Sequence, residues 1–248
     1  MQNGTQTTQN AIKGISSMAT RQLLAELVAD YKKQTTNQTD PIIHIESVGG
    51  VDAAKRVQAG EAFDVVVLAS DAIDRLIDAG HIDPKSKVNL VNSGVAVAVK
   101  AGTALPDISS EVAVKAAVLA AKTISYSTGP SGVALAKLFE RWGIAETIAS
   151  RIVQAPPGVP VGSLVAMGEA ELGFQQLSEL IHLEGISVVG PLPPDIQITT
   201  TFSAGVCTAS KQAEAVKHLL AFMASSQTAD TKRRQGMTPV ANKNLQIL

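Results

Sequence analysis

A chain of 248 residues with a net charge of −1 offers no electrostatic footprint for nucleic acid or an anionic membrane, and its length suits one large or two ordinary α/β domains. Apolar residues make up 45% of it and aromatic residues only 3%, so the core must be built from Ala, Val, Leu and Ile, as in parallel-sheet proteins. Its one cysteine, Cys207, excludes an internal disulfide and a cysteine-based zinc site, and is expected to pack as a small apolar group in a strand.

Residues 1–16 lack the basic region and following apolar run of a secretory leader, and no stretch is long and apolar enough to span a bilayer. The expectation is a cytoplasmic protein, or a periplasmic one if a leader was removed. Residues 11–15 read as a strand. Ser16 and Ser17 lead from it into a helix whose buried face is Leu23, Leu24, Leu27, Val28 and Tyr31, with Ser17 as N-cap. A strand–serine–helix junction presents free backbone N–H groups and suits an anion. Arg21, one turn into the helix, either faces that anion or is a solvated charge.

Residues 41–48 form the next strand, followed by Gly49-Gly50 and a helix over 51–59. The bare glycine backbone allows a ligand close approach. His44 and Glu46 share one strand face; a lone His44 reads as structural. The unbroken apolar run 64–69 is the pattern of a strand buried on both faces. Ser70 and Asp71 then open a helix carrying Ile73, Leu76 and Ile77. Asp71 also fits the ordinary role of an acid facing the helix dipole.

The second half opens with a long extended run, 89–100, and a helix over 111–121 capped by Ser109 or Ser110. A short β-rich run then reaches Ser125-Tyr126-Ser127-Thr128-Gly129-Pro130-Ser131-Gly132. Leu135, Leu138, Phe139 and Trp142 follow at helical spacing, and Gly143 ends that helix. This loop is a hydroxyl- and glycine-rich strand-to-helix turn that suits an anion; Ser131 reads equally as a plain N-cap. A helix and strand are expected up to residue 155. The loop 156–163, a helix over 162–167 and a strand over 170–175 come next, with Gln176 at the strand's end. After a rigid break at 190–194, an extended run covers 196–208. Two helices follow, about 212–224 and 226–235, and the tail from Met237 shows no pattern.

Right-handed crossovers put such turns at one sheet edge, where open α/β sheets bind ligands. The two extended runs serve as crossings between two α/β lobes: residues 1–94 plus 199–248, and residues 95–198. The ligand is expected in the cleft, with hinge closure as the motion.

The segments ISSMATRQLLAELVADYKK, SVGGVDAAKRVQAGEAFDVVVLASD, STGPSGVALAKLFERWGI and VGSLVAMGEAELGFQQLSEL, then the closing helix pair, resemble the type II periplasmic binding protein fold. The likeness is to its molybdate-binding-protein-like family and spans nearly the whole chain. It implies ligand positions at Ser17, at Gly49-Gly50, where the family's serine is missing, and at Ser131. It implies others near Gly158 or Val159, and at Gln176, where the family has tyrosine. These departures weigh against molybdate or tungstate and favour a larger, flatter anion such as a carboxylate.

The family includes an aconitate isomerase branch, which moves a proton across an allylic system. The function expected is therefore isomerisation of a small unsaturated polycarboxylate, with no cofactor. Ser16, Ser17, Arg21, Gly49, Gly50, Ser70, Thr128, Gly129, Ser131, Gly132, Val159 and Gln176 are the binding candidates. Asp71, Glu46 and Tyr126 are the candidates for the base. The alternatives are a non-catalytic solute-binding protein, which would serve an ABC permease from the periplasm, and a cytoplasmic ligand sensor.

Overall fold

In the computed structural model the described residues are 11–34, 42–156 and 158–242. Residues 1–10, Pro41 and Pro157, all used in the sequence expectations, lie outside them, as do residues 35–40 and 243–248.

The first third folds as anticipated. Strands β1 (Ala11–Ser17), β2 (Ile42–Val48) and β3 (Val65–Ala69) run parallel with β1 in the middle. Each feeds a helix: α1 (Arg21–Gln34), entered through the 3-10 turn Met18–Thr20, then α2 (Gly50–Gln58) and α3 (Ser70–Asp78). Every residue of β3 is buried. Val65 and Val67 pack with Leu23, Leu24 and Leu27 of α1, while Val66 and Leu68 pack with Ile73 and Leu76 of α3. A strand covered on both faces has no polar side, which is why its sequence does not alternate.

The middle of the chain supplies β4 (Val88–Lys100), α4 (Glu111–Ala120), β5 (Ile124–Tyr126), α5 (Pro130–Arg141) and α6 (Ala145–Ile148). It continues with α7 (Val161–Met167), β6 (Leu172–Gln176), α8 (Leu177–Leu180) and β7 (Ile186–Pro191). The chain then returns through β8 (Thr199–Val206), α9 (Ala213–Ala224), α10 (Ala229–Arg234) and β9 (Met237–Pro239).

The main strand order is β2-β1-β3-β8-β4-β6-β5, with β7 and β9 also on β4. β8 is antiparallel to both β3 and β4, so the sheet is mixed. The register divides β4 in two. Its residues up to Gly94 pair with β8, and Val95 to Ala98 pair with β6. The second half has its own core, where Val97, Val118, Leu135, Phe139 and Phe174 meet. The fold is an α/β arrangement of two halves, as the resemblance implies, with β4 and β8 as the extended crossings.

Several local expectations differ. The helix marked by Leu135, Leu138, Phe139 and Trp142 starts at Pro130, inside the loop read as a turn, since proline at the first helical position loses no needed N–H. Residues 153–155 make no strand; a lone bridge joins Ile124 to Ile152. The run from 196 begins as a 3-10 turn, Pro194–Ile196, after Pro193 and Pro194 fix the backbone, so β8 starts at Thr199. β7 lies partly in the stretch read as a break, and β9 in the tail read as patternless. Both are recruited by β4. Cys207 is buried beside Ile82, and burial first, then the charge of Asp64, pushes its thiol up to about 12. It is packing material rather than a nucleophile.

Candidate functional site

A cavity of about 530 Å³ is lined by residues of both halves of the molecule. On the first side stand Ser17, the Gly49-Gly50 turn, and the start of α3 at Ala69 and Ala72. On the other stand the loop from Ser127 to Ser131, the segment around Gly158 to Pro160, and Gln175, Gln176 and Glu179. Thr200 and Phe202 of β8 form the floor between them.

Ser17 is placed because β1 ends there and the chain turns at once into the 3-10 segment. Its Oγ accepts from the Ala19 N–H at 3.4 Å. Gly50 sits opposite, where a Cβ would meet Ser17 Oγ at 3.6 Å. The absence of a side chain at 50 therefore keeps space open beside that hydroxyl. The helices α2, α3 and α5 all begin with no side-chain cap on their first N–H groups. Unpaired N–H groups and positive dipole ends are thus directed from three elements toward one space, which is suited to an anion with several charged groups.

In the central loop Thr128, Gly129 and Ser131 line the cavity. The cap of α5 is Gly129, with Ser131 inside the first turn. Ser131 is buried. Val159 closes part of the opposite wall. Gln176 is only 4% exposed; its Nε2 donates to Thr200 Oγ1 at 3.0 Å, and its Oε1 is buried without a partner. A polar atom left so at a cavity wall is provision for a ligand group. Rotating that amide would offer a donor instead.

Other candidates stand elsewhere. Ser16 is buried, with its Oγ 2.7 Å from Ser47 Oγ, so it joins β1 to β2. Arg21 is exposed and does not line the cavity. Ser70 is the first residue of α3 rather than its cap, which is Ala69, and is not part of the lining. Gly132 lies behind the loop, where a Cβ would run into the Ser127 carbonyl.

None of the three candidate bases lines the cavity. Asp71 is exposed and paired with Arg75 at 2.8 Å, one helical turn away. Glu46 takes two hydrogen bonds from the Arg56 guanidinium, at 2.8 and 3.0 Å. That hydrogen bonding holds its carboxyl below the usual range, and a group so held is a poor base. Tyr126 packs edge-on against Phe139, and burial raises its pKa further from neutrality.

The charged groups that do line the cavity are Asp52, Lys55, Arg75 and Glu179. Lys55 and Arg75 are exposed cations at its mouth. Glu179 is half-buried in α8, and burial pushes its carboxyl up to about 7, against a hydrogen bond from Gln175 that lowers it. The sequence signal for Glu179 was its place three residues after Gln176, at the same strand end. Lys55 and Arg75 were each within two turns of a recognised junction. Among the described residues no group of three or more His, Cys, Asp or Glu side chains is gathered to hold a metal.

The family described as bacterial extracellular solute-binding protein matches residues 12–238. An aconitate isomerase from Pseudomonas sp is 36% identical over 220 residues, covering 88% of this chain and 83% of that protein. Among solved structures, the periplasmic molybdate-binding protein of Azotobacter vinelandii aligns with a TM-score of 0.75 at 19% identity, over 92% of this chain and 98% of that one. The sulfate-binding protein SubI of Mycobacterium tuberculosis H37Rv aligns with a TM-score of 0.74 at 15% identity, over 93% and 87%. At these identities the two structures establish the fold and leave the ligand open.

Proposed function

The chain belongs to the bacterial extracellular solute-binding protein family, and from that premise we propose that it is an isomerase of a small unsaturated polycarboxylate, of the aconitate type. The observation that carries the reading is the convergence of three uncapped helix starts on one cavity of about 530 Å³. A tetrahedral oxyanion needs one compact cage of donors. Anchors spread over α2, α3 and α5, with hydroxyls at Ser17 and Ser131, suit several carboxylates held apart. The glycine at 50 and the glutamine at 176 enlarge and flatten the space further, and the aconitate isomerase relative points the same way.

The chemistry follows from the substrate. Removing a proton from the methylene carbon of aconitate leaves an electron pair spread over three carbons and the adjoining carboxylate. Fixed N–H groups at that carboxylate stabilise the charge as it grows. Return of the proton at the other end of the allylic system shifts the double bond and resets its geometry. Lys55 and Arg75 at the mouth favour entry of a polyanion.

Proton NMR with trans-aconitate in D2O tests this. The expected outcome is appearance of the cis isomer with deuterium in the methylene position. No conversion and no exchange would defeat the reading. The second reading, a solute-binding protein serving an ABC permease, is favoured by the molybdate- and sulfate-binding neighbours in fold. It predicts a thermal shift with an oxyanion or organic acid and no turnover.

A further inference from the structure

The geometry points to Glu179 as the base that carries the proton between the two ends of the allylic system, an assignment that rests on the isomerase reading above. Only two carboxylates line the cavity among the described residues, Asp52 and Glu179. Asp52 lies in the exposed first turn of α2, where a negative charge simply complements the helix dipole. Glu179 also stands in the first turn of its helix, but α8 has only 4 residues and so little dipole to complement, and the carboxylate is half-buried rather than exposed. A negative group inside an anion site weakens binding of the ground state, a cost that a role in the reaction offsets.

Glu179 is also held in place. Gln175 accepts the Gly162 N–H on its Oε1 at 3.2 Å, which leaves its amide nitrogen to hydrogen-bond the Glu179 side chain. Next to Glu179, buried Ser178 donates through Oγ to the Ala19 carbonyl at 3.0 Å. That bond fixes α8, which follows β6, against the turn that carries Ser17. The carboxylate therefore stands between anchors from both halves of the molecule. The other charges at the cavity are Asp52, Lys55 and Arg75. Of the elements packed on α8, β6 and the Met18–Thr20 turn carry no charged residue, and β4 carries only its terminal Lys100, beside Gly168.

The step balances without a co-reactant. The Glu179 carboxylate takes a proton from the methylene carbon, the C–H pair enters the allylic system, and Glu179 becomes a neutral acid. It then gives the proton to the former vinylic carbon, the new double bond forms at the other side, and the carboxylate is restored. Desolvation places the titration of Glu179 at about 7, where it both accepts and releases a proton readily.

The test compares the full chain with Glu179→Gln and Gln175→Met by proton NMR in D2O with trans-aconitate. For Glu179→Gln, turnover and deuterium entry should both fall by about 10²–10⁴-fold, while trans-aconitate still raises its Tm. In the unaltered chain kcat/KM should fall tenfold per pH unit below about pH 7. In Gln175→Met, where the hydrogen bond that lowers the carboxyl is gone, that limb should move to higher pH. Should Glu179→Gln fail to bind, this shift decides the matter: an unmoved limb overturns the assignment. Glu179→Gln turning over within a few-fold of the unaltered chain also overturns it and leaves the isomerase reading intact. An unaltered chain that neither converts nor exchanges removes the isomerase reading and the assignment together.

Discussion

Glu179 titrates at about 7 rather than 4.5 because the fold desolvates it, and this couples the site to stability. The folded state holds that proton more tightly than the unfolded chain does. The stability this contributes is complete below pH 4.5, declines as the pH rises, and is gone above about pH 7. A glutamine at 179 has no such proton to lose. Ligand-free Glu179→Gln should therefore melt about 2–4 °C above the unaltered chain at pH 8 and show no such advantage at pH 4.5, measured by calorimetry. An advantage that did not grow with pH would contradict the desolvated carboxylate. At this scale the sequence was least informative. Ser17 and Ser131 were legible because a cap or anion role is written in strand–serine–helix order. Glu46 and Asp71 looked equally acidic, but Arg75 pairs with Asp71 one helical turn on and Arg56 reaches Glu46 from the next element, and pairing is a property of geometry. Glu179 became distinctive only when folding took water away from it.

Elements were more legible, since β3 follows from its unbroken apolar run and the amphipathic faces of α1, α3 and α5 from hydrophobic period. What periodicity misses is close approach. Gly132 read as a ligand-binding candidate in a glycine-rich turn, yet its task is to let α5 begin directly beneath the Ser127 carbonyl. Its alanine variant must push that carbonyl away and shift the loop that lines the cavity. Gly132→Ala should lose about 1–3 kcal/mol in urea unfolding and should lose the thermal shift given by trans-aconitate. Gly129→Ala is the contrast. There the new Cβ meets Ser127 Oγ at an ordinary 3.5 Å, with φ at −74°, so its stability should stay within about 0.5 kcal/mol. Equal effects at the two positions would mean that general loop flexibility, rather than the contact at 132, sets the cost. The short strands β7 and β9 stayed hidden because three to six residues are too few to show a period, and both exist by pairing with β4.

At the scale of the whole molecule, the long extended run of β4 pairs first with β8 and then with β6, so one strand joins the two halves of the sheet. The change of partner along β4 at Gly94 and Val95 is a matter of register. That point is where the crossings meet: the Val95 N–H donates to both the Ile198 carbonyl and Gln197 Oε1, at 3.1 and 3.0 Å. A ligand gripped by Ser17 and Gly50 on one side and by Ser131 and Gln176 on the other gains contacts as the halves approach. Bending is confined to a few residues of the crossings if each half keeps its own core. The expected motion is closure about residues 94–95 and 198–199. Small-angle scattering should show the radius of gyration falling on saturation with trans-aconitate, and amide exchange should slow in residues 127–131. A ligand that binds while the radius stays unchanged would mean that the cavity is already in its working shape. Glu179 would then reach both allylic carbons without any movement of one half against the other.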